Sequence, residues 1–122
     1  MSLRTLAAIS GLGRALLGAA FAVAPARTGS SWIGNPAEDQ RVEVLTRAVG
    51  ARDFALGVGT ARAIAEDEGA SAWLLASAAA DSVDLTATLL ARDELPDRSV
   101  AITIGLAGGS ALLCLAAALL GD

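Results

Sequence analysis

The chain has 122 residues, enough for one domain, with 54% hydrophobic residues, 18% charged residues and a net charge of −4. Soluble domains average about 45–50% apolar and 25% charged, so a mean hydropathy of +0.57 displaces this chain toward membrane composition. The acidic balance excludes nucleic-acid binding, which needs a basic footprint, and the absence of His removes the commonest metal ligand and general base.

The first apolar stretch, 3–26, ends beside Pro25 and is long enough for a membrane span, which needs about 20 apolar residues. Arg14 in mid-run argues against a cleaved leader, whose apolar core is short and uninterrupted. The segment ARTGSSWIGNPAEDQ, 26–40, is rich in turn formers, and Asn35-Pro36 has the chemistry of a helix start. The second stretch, 42–65, is the weakest by hydropathy but has helical periodicity. EDEG, 66–69, forms an acidic turn. The third stretch, 70–91, and the fourth, 100–120, follow, separated by RDELPDRS, where Asp97 or Ser99 suits a helix cap. The expected fold is therefore all-α: a single membrane-embedded domain over 1–122, four transmembrane helices in an antiparallel bundle, multi-pass in the cell membrane. Arg27, Arg41, Arg47, Arg92 and Arg98 fall at one end of the spans and only Arg4 and Arg62 at the other, which places both termini outside. All nine basic residues are Arg, and with the high Ala content this points to a GC-rich bacterial genome. The single Cys114 reads as apolar filler.

Five ionisable residues lie deep inside these stretches: Arg14, Arg52, Asp53, Asp81 and Asp84. Each costs about 2.5–3.5 kcal/mol at a helix centre on insertion scales, together on the order of 10 kcal/mol. Pairing, hydrogen bonds or a hydrated cavity must offset that. Gly11, Arg14 and Gly18 share one face of the first stretch. Gly50, Asp53 and Gly57 repeat the spacing on the second, with Thr46 and Thr60 extending the face. Small residues on matching faces allow close helix approach, so the two stretches are expected to form a hairpin with Arg14 paired to Asp53. Arg52 points about 100° away, toward another neighbour. Trp73, Ser77, Asp81, Asp84 and Thr88 share a face of the third stretch and offer its partners, while Gly105 and Gly109 form a GxxxG packing face on the fourth.

These positions define the candidate binding set: Arg14, Arg52, Asp53, Trp73, Ser77, Asp81, Asp84 and Thr88. The spacing DSVD, 81–84, is known from Mg²⁺-diphosphate sites, but one helical turn supplies too few oxygen ligands. No metal and no cofactor is expected. Neither GLGRALLG nor GVGTAR fits a dinucleotide fingerprint. The first functional reading is a site that binds or translocates a small or lipid-like ligand, or an accessory subunit. The second is a membrane enzyme of isomerase or cyclase type, with Asp81 or Asp84 as general acid and Arg52 stabilising developing negative charge. The third is purely structural: Arg and Asp as glue that fixes which helix meets which. Expected partners are the lipid bilayer, a hydrophobic small molecule, and a second copy or a larger membrane complex.

The runs GLGRALLGAAFAVAP, LTRAVGARDFALGVGT and WLLASAAADSVDLTATLL resemble an uncharacterised family of small four-span membrane proteins common in actinobacteria. The resemblance covers nearly the whole chain and is most specific at Gly50, Arg52, Asp53, Gly57, Asp81 and Asp84. It implies an integral membrane helical bundle and supplies no activity.

Overall fold

A computed structural model of the chain describes residues 1–121, and among them there is no strand. The first helix, α1 (Leu3–Val23), is capped by the Ser2 hydroxyl, which accepts from the Thr5 N–H at 3.0 Å. It stops before Pro25, whose ring and missing N–H prevent continuation. Pro25 instead opens a second helix, α2 (Pro25–Ile33). The segment 26–40 is thus largely helical and not the loop its composition predicts. The reason is local: Pro is favoured at the first helical position, and the Thr28 hydroxyl reaches back to the Ala20 carbonyl at 3.1 Å. Gly34 (φ +76°) ends α2 in a conformation open to glycine.

Asn35-Pro36 starts only a short 3₁₀ turn, Asn35–Glu38; the long helix α3 (Gln40–Glu66) begins one step later, with Asp39 as its N-cap. The Arg41 guanidinium, and then its backbone N–H, hold the exposed Asp39 carboxyl below its ordinary 3.8. At its other end α3 turns through Asp67 (φ 52°) and Gly69 (φ 69°) into α4 (Ala70–Leu90). A 3₁₀ turn, Arg92–Glu94, leads to α5 (Asp97–Leu120). Neither Asp97 nor Ser99 caps α5: Pro96 holds the cap position and Asp97 sits in the first turn. Ser99 is used elsewhere, its hydroxyl donating to the Ser31 carbonyl on α2 at 2.9 Å. Within α5 the residues Ile104–Gly108 form a π segment.

The four long helices alternate in direction. Along the α1–α3 seam Gly18 meets Gly50 and Gly11 meets Gly57, backbone against backbone. On the α3–α4 seam the Thr60 and Ser77 hydroxyls bond at 3.1 Å, and Trp73 covers Gly59. At the Met1 end, Ala7, Ala63, Ala70, Leu74, Ala78, Cys114 and Ala117 form a tight apolar plug. At the opposite end α2 lies across the helices, with Gly29 against Ala37 and Thr46, and Phe21 edge-on to Trp32 at 6.1 Å. The expected glycine face of α5 is not a contact: a Cβ at Gly105 or Gly109 would meet nothing within 4 Å.

Two helices, α1 and α5, are long and apolar enough to cross a membrane, with mean hydropathies of 1.7 and 2.1. Four such stretches were expected. The other two long helices carry charge at their centres, Arg52 and Asp53 on α3 and Asp81 and Asp84 on α4.

Candidate functional site

The five mid-helix charges form one continuous chain. Arg14 donates through Nη1 to Asp53 at 3.3 Å and through Nη2 to Asp81 and to the Ser110 hydroxyl, the last at 3.2 Å. Arg52 grips Asp84 with two parallel bonds, 3.1 and 2.6 Å, and also donates to Asp53 Oδ1 from Nε and Nη2 at 3.2 and 3.0 Å. The order is Asp81–Arg14–Asp53–Arg52–Asp84, with Asp53 Oδ1 shared between both guanidiniums. Such charge-assisted and bidentate bonds are the strong class, and the side chains of Arg14, Asp53 and Asp81 are exposed by only 10%, 13% and 7%. Arg14, Arg52, Asp53 and Asp81 lie near the middle of their helices and Asp84 one turn further along α4; Arg14 is roughly 15 Å from either end of α1 at 1.5 Å per residue.

The expected Arg14–Asp53 pair is present, and Arg52 reaches Asp84. Two features differ from expectation. Arg14 is shared with Asp81, because its long side chain reaches past α3 to α4. Arg52 is not divided from its neighbour: its long side chain leaves in a different direction but curls back, so one guanidinium serves Asp53 and Asp84 together. The α1–α3 hairpin with its Arg14–Asp53 pair stands, and the pair is extended into a chain spanning α1, α3 and α4.

Beside this chain lies a cavity of about 470 Å³. Arg14, Asp53, Asp81 and Asp84 form its charged side; Leu17, Phe21, Trp32, Val49, Ile102 and Leu106 form its apolar wall. Hydroxyls of Ser10, Ser31, Ser99, Thr103 and Ser110 ring it. Gly13 and Leu17 of α1 and Ile102 and Leu106 of α5 are exposed, so the cavity opens between these two helices. In the other direction it ends at the charge chain, beyond which the apolar plug closes.

The remaining candidates fall outside. Trp73 packs on Gly59 and borders a separate shallow recess with Arg62, Ala63 and Glu66, because Gly59 leaves room for its ring there. Ser77 is consumed by Thr60. Thr88 accepts from the Trp32 indole N–H at 3.0 Å, which makes it a support for the wall rather than part of it. Arg52 does not line the cavity, so it is not positioned to stabilise charge developing there. Sequence reasoning missed the α5 side of the site. Ser99, Thr103, Leu106, Ala107 and Ser110 recur at i, i+4, i+7, i+8 and i+11, a helical face that was legible but was masked by the glycines beside it. The contribution of Trp32 was not legible, since it depends on α2.

Among the described residues no group of His, Cys, Asp and Glu could hold a metal ion. No protein-family model matches the chain, and neither a characterised protein nor a solved structure matches it.

Proposed function

We propose that this is a multi-pass membrane protein whose four long helices cross the bilayer as an antiparallel bundle, and that the mid-depth cavity binds a small, lipid-like ligand. The observation that carries the reading is the inverted distribution of side chains. Buried positions are mostly Gly, Ala, Ser and Thr together with Asp53 and Asp81, with Phe21, Pro25, Leu74 and Cys114 the few larger apolar ones, whereas Ile9, Leu16, Val44, Phe54, Val58, Leu75, Val83, Leu106, Leu112 and Leu119 are exposed. A water-soluble domain hides its large apolar side chains; a membrane bundle packs small residues inside and turns the large ones to lipid. The low average hydropathy of α3 fits this reading, because its central charges are paired inside the bundle. Intramembrane ionisable residues facing a cavity are a functional site by default.

Binding is favoured over an open conduit because the plug of Ala7, Ala63, Leu74, Ala78, Cys114 and Ala117 shuts the Met1 end. The arginine-rich end, with Arg27, Arg41, Arg47, Arg92 and Arg98, is the cytoplasmic one on this reading. Ala107→Phe tests it by filling the cavity without touching a charge. Native mass spectrometry of protein purified in mild detergent is expected to show a bound small molecule or lipid on the wild type and none on Ala107→Phe, with equal thermal stability. Identical spectra for the two proteins would contradict the reading.

A further inference from the structure

We infer that the ligand is an amphipathic organic cation, an amine or quaternary ammonium; this rests on the cavity being a binding site. The buried chain contains three carboxylates and two guanidiniums, so its fully ionised charge is −1. The carboxylates outnumber the guanidiniums that bond them, and among the described residues only Nε of Arg14 is left without an acceptor. Arg14 is committed to Asp53, Asp81 and Ser110, and Arg52 to Asp53 and Asp84. Among the described residues, Asp81 Oδ1 and Asp53 Oδ2 accept no hydrogen bond, yet neither is a sealed buried atom. Both residues line the cavity, and the side chain of Asp81 is only 7% exposed, so these oxygens have the cavity to face.

An anion entering here would find both guanidiniums already bonded to carboxylates and a net negative charge waiting. A neutral molecule would leave that charge uncompensated at mid-depth, where an unpaired ion is costly. A cation neutralises it. The rest of the wall fits an organic cation rather than a metal ion. Trp32 and Phe21 present aromatic rings, which attract ammonium groups over their faces. No carboxylate cluster among the described residues meets the needs of a metal. The volume of about 470 Å³ suits a drug-sized molecule. The opening between α1 and α5 is bordered by Leu17, Ile102 and Leu106, an entrance for an apolar tail. A proton on one carboxylate is the competing way of neutralising the chain.

Trp32 lines the cavity and Trp73 does not, so the W73F protein carries one fluorescent reporter at the site. Three probes matched in shape are titrated into it in nonionic detergent: 4-phenylbutyltrimethylammonium, 4-phenylbutanol and 4-phenylbutyrate. The expected result is saturable change of Trp32 emission by the ammonium, with affinity at least tenfold tighter than for the alcohol, and no saturable response to the carboxylate. Asp53→Asn, which keeps an acceptor for both arginines and removes the surplus charge, is expected to erase the tenfold preference. Ala107→Phe on the same background is expected to abolish the response. Equal affinity for ammonium and alcohol, or preference for the carboxylate, overturns the inference and leaves the ligand-binding cavity standing. If none of the three probes responds saturably, the cavity reading falls with it.

Discussion

A methyl group added at Gly18 should open the seam on which the charge chain depends. A Cβ there would lie 2.6 Å from both the Gly50 carbonyl oxygen and the Phe54 nitrogen, and 3.1 Å from the Asp53 carbonyl carbon. All three are backbone atoms, so no side chain can rotate away. Ordinary carbon contacts lie at about 3.5 Å, and α1 must withdraw from α3 by roughly 1 Å. Overpacking of this kind costs about 1–3 kcal/mol, and Ala recovers about 1 kcal/mol of helix propensity. The same displacement stretches the Arg14–Asp53 bond, already 3.3 Å, out of range, and hydrogen bonds to charged groups contribute about 1.5–3 kcal/mol. The net loss expected for Gly18→Ala is about 2–4 kcal/mol. Gly109→Ala, where a Cβ meets nothing within 4 Å, is the control; it should be neutral or gain up to about 1 kcal/mol. Reversible unfolding in mixed micelles, followed by circular dichroism, measures both. Gly18→Ala as stable as the wild type would refute the close-packed seam.

Exchanging Arg14 and Asp53 should not rescue the single changes, because a carboxylate at position 14 would face Asp81 and a guanidinium at position 53 would sit beside Arg52. A swap as stable as the wild type in thermal denaturation would mean that the pair acts alone. Thr88→Val removes the acceptor of the Trp32 indole N–H and should cost about 1 kcal/mol, with a shift in the emission of Trp32 when Trp73 is replaced by Phe. The folded Asp39 carboxyl titrates below its ordinary value, so its contribution to the α3 cap is present above that value and lost as pH falls through the folded one. Amide exchange at Arg41, corrected for intrinsic rate, should rise in acid and should already be raised at neutral pH in Asp39→Ala, which removes the capping acceptor.

The α1–α3 seam was legible in the sequence because its signal is periodic: Gly11, Arg14 and Gly18 match Gly50, Asp53 and Gly57 one for one. Helix packing repeats such spacings in space. The reach of a long side chain has no period, which is why Arg14 bonding Asp81 and Arg52 curling back to Asp53 were not legible. The π segment at Ile104–Gly108 lay hidden for the opposite reason. The glycines in and beside it resembled an interhelix contact, yet Gly105 and Gly109 face open space while Ser99, Thr103 and Ser110 line the cavity. Pro25 reads as a stop, and it is also a start: the helix it opens delivers Ser31 and Trp32 to the site.

A charged cavity at mid-membrane depth requires all four long helices to cross the bilayer. Nitroxide labels at Leu16, Phe54, Val83 and Leu112, one exposed position per long helix near the level of the charge chain, report this in lipid bilayers on a Cys114→Ala background. Relaxation by oxygen and by a water-soluble nickel chelate gives the depth of each label. High oxygen and low nickel accessibility is expected at all four positions. Water-like nickel accessibility at Phe54 and Val83, with Leu16 and Leu112 buried in lipid, would mean that only two helices cross and would contradict the four-span cavity.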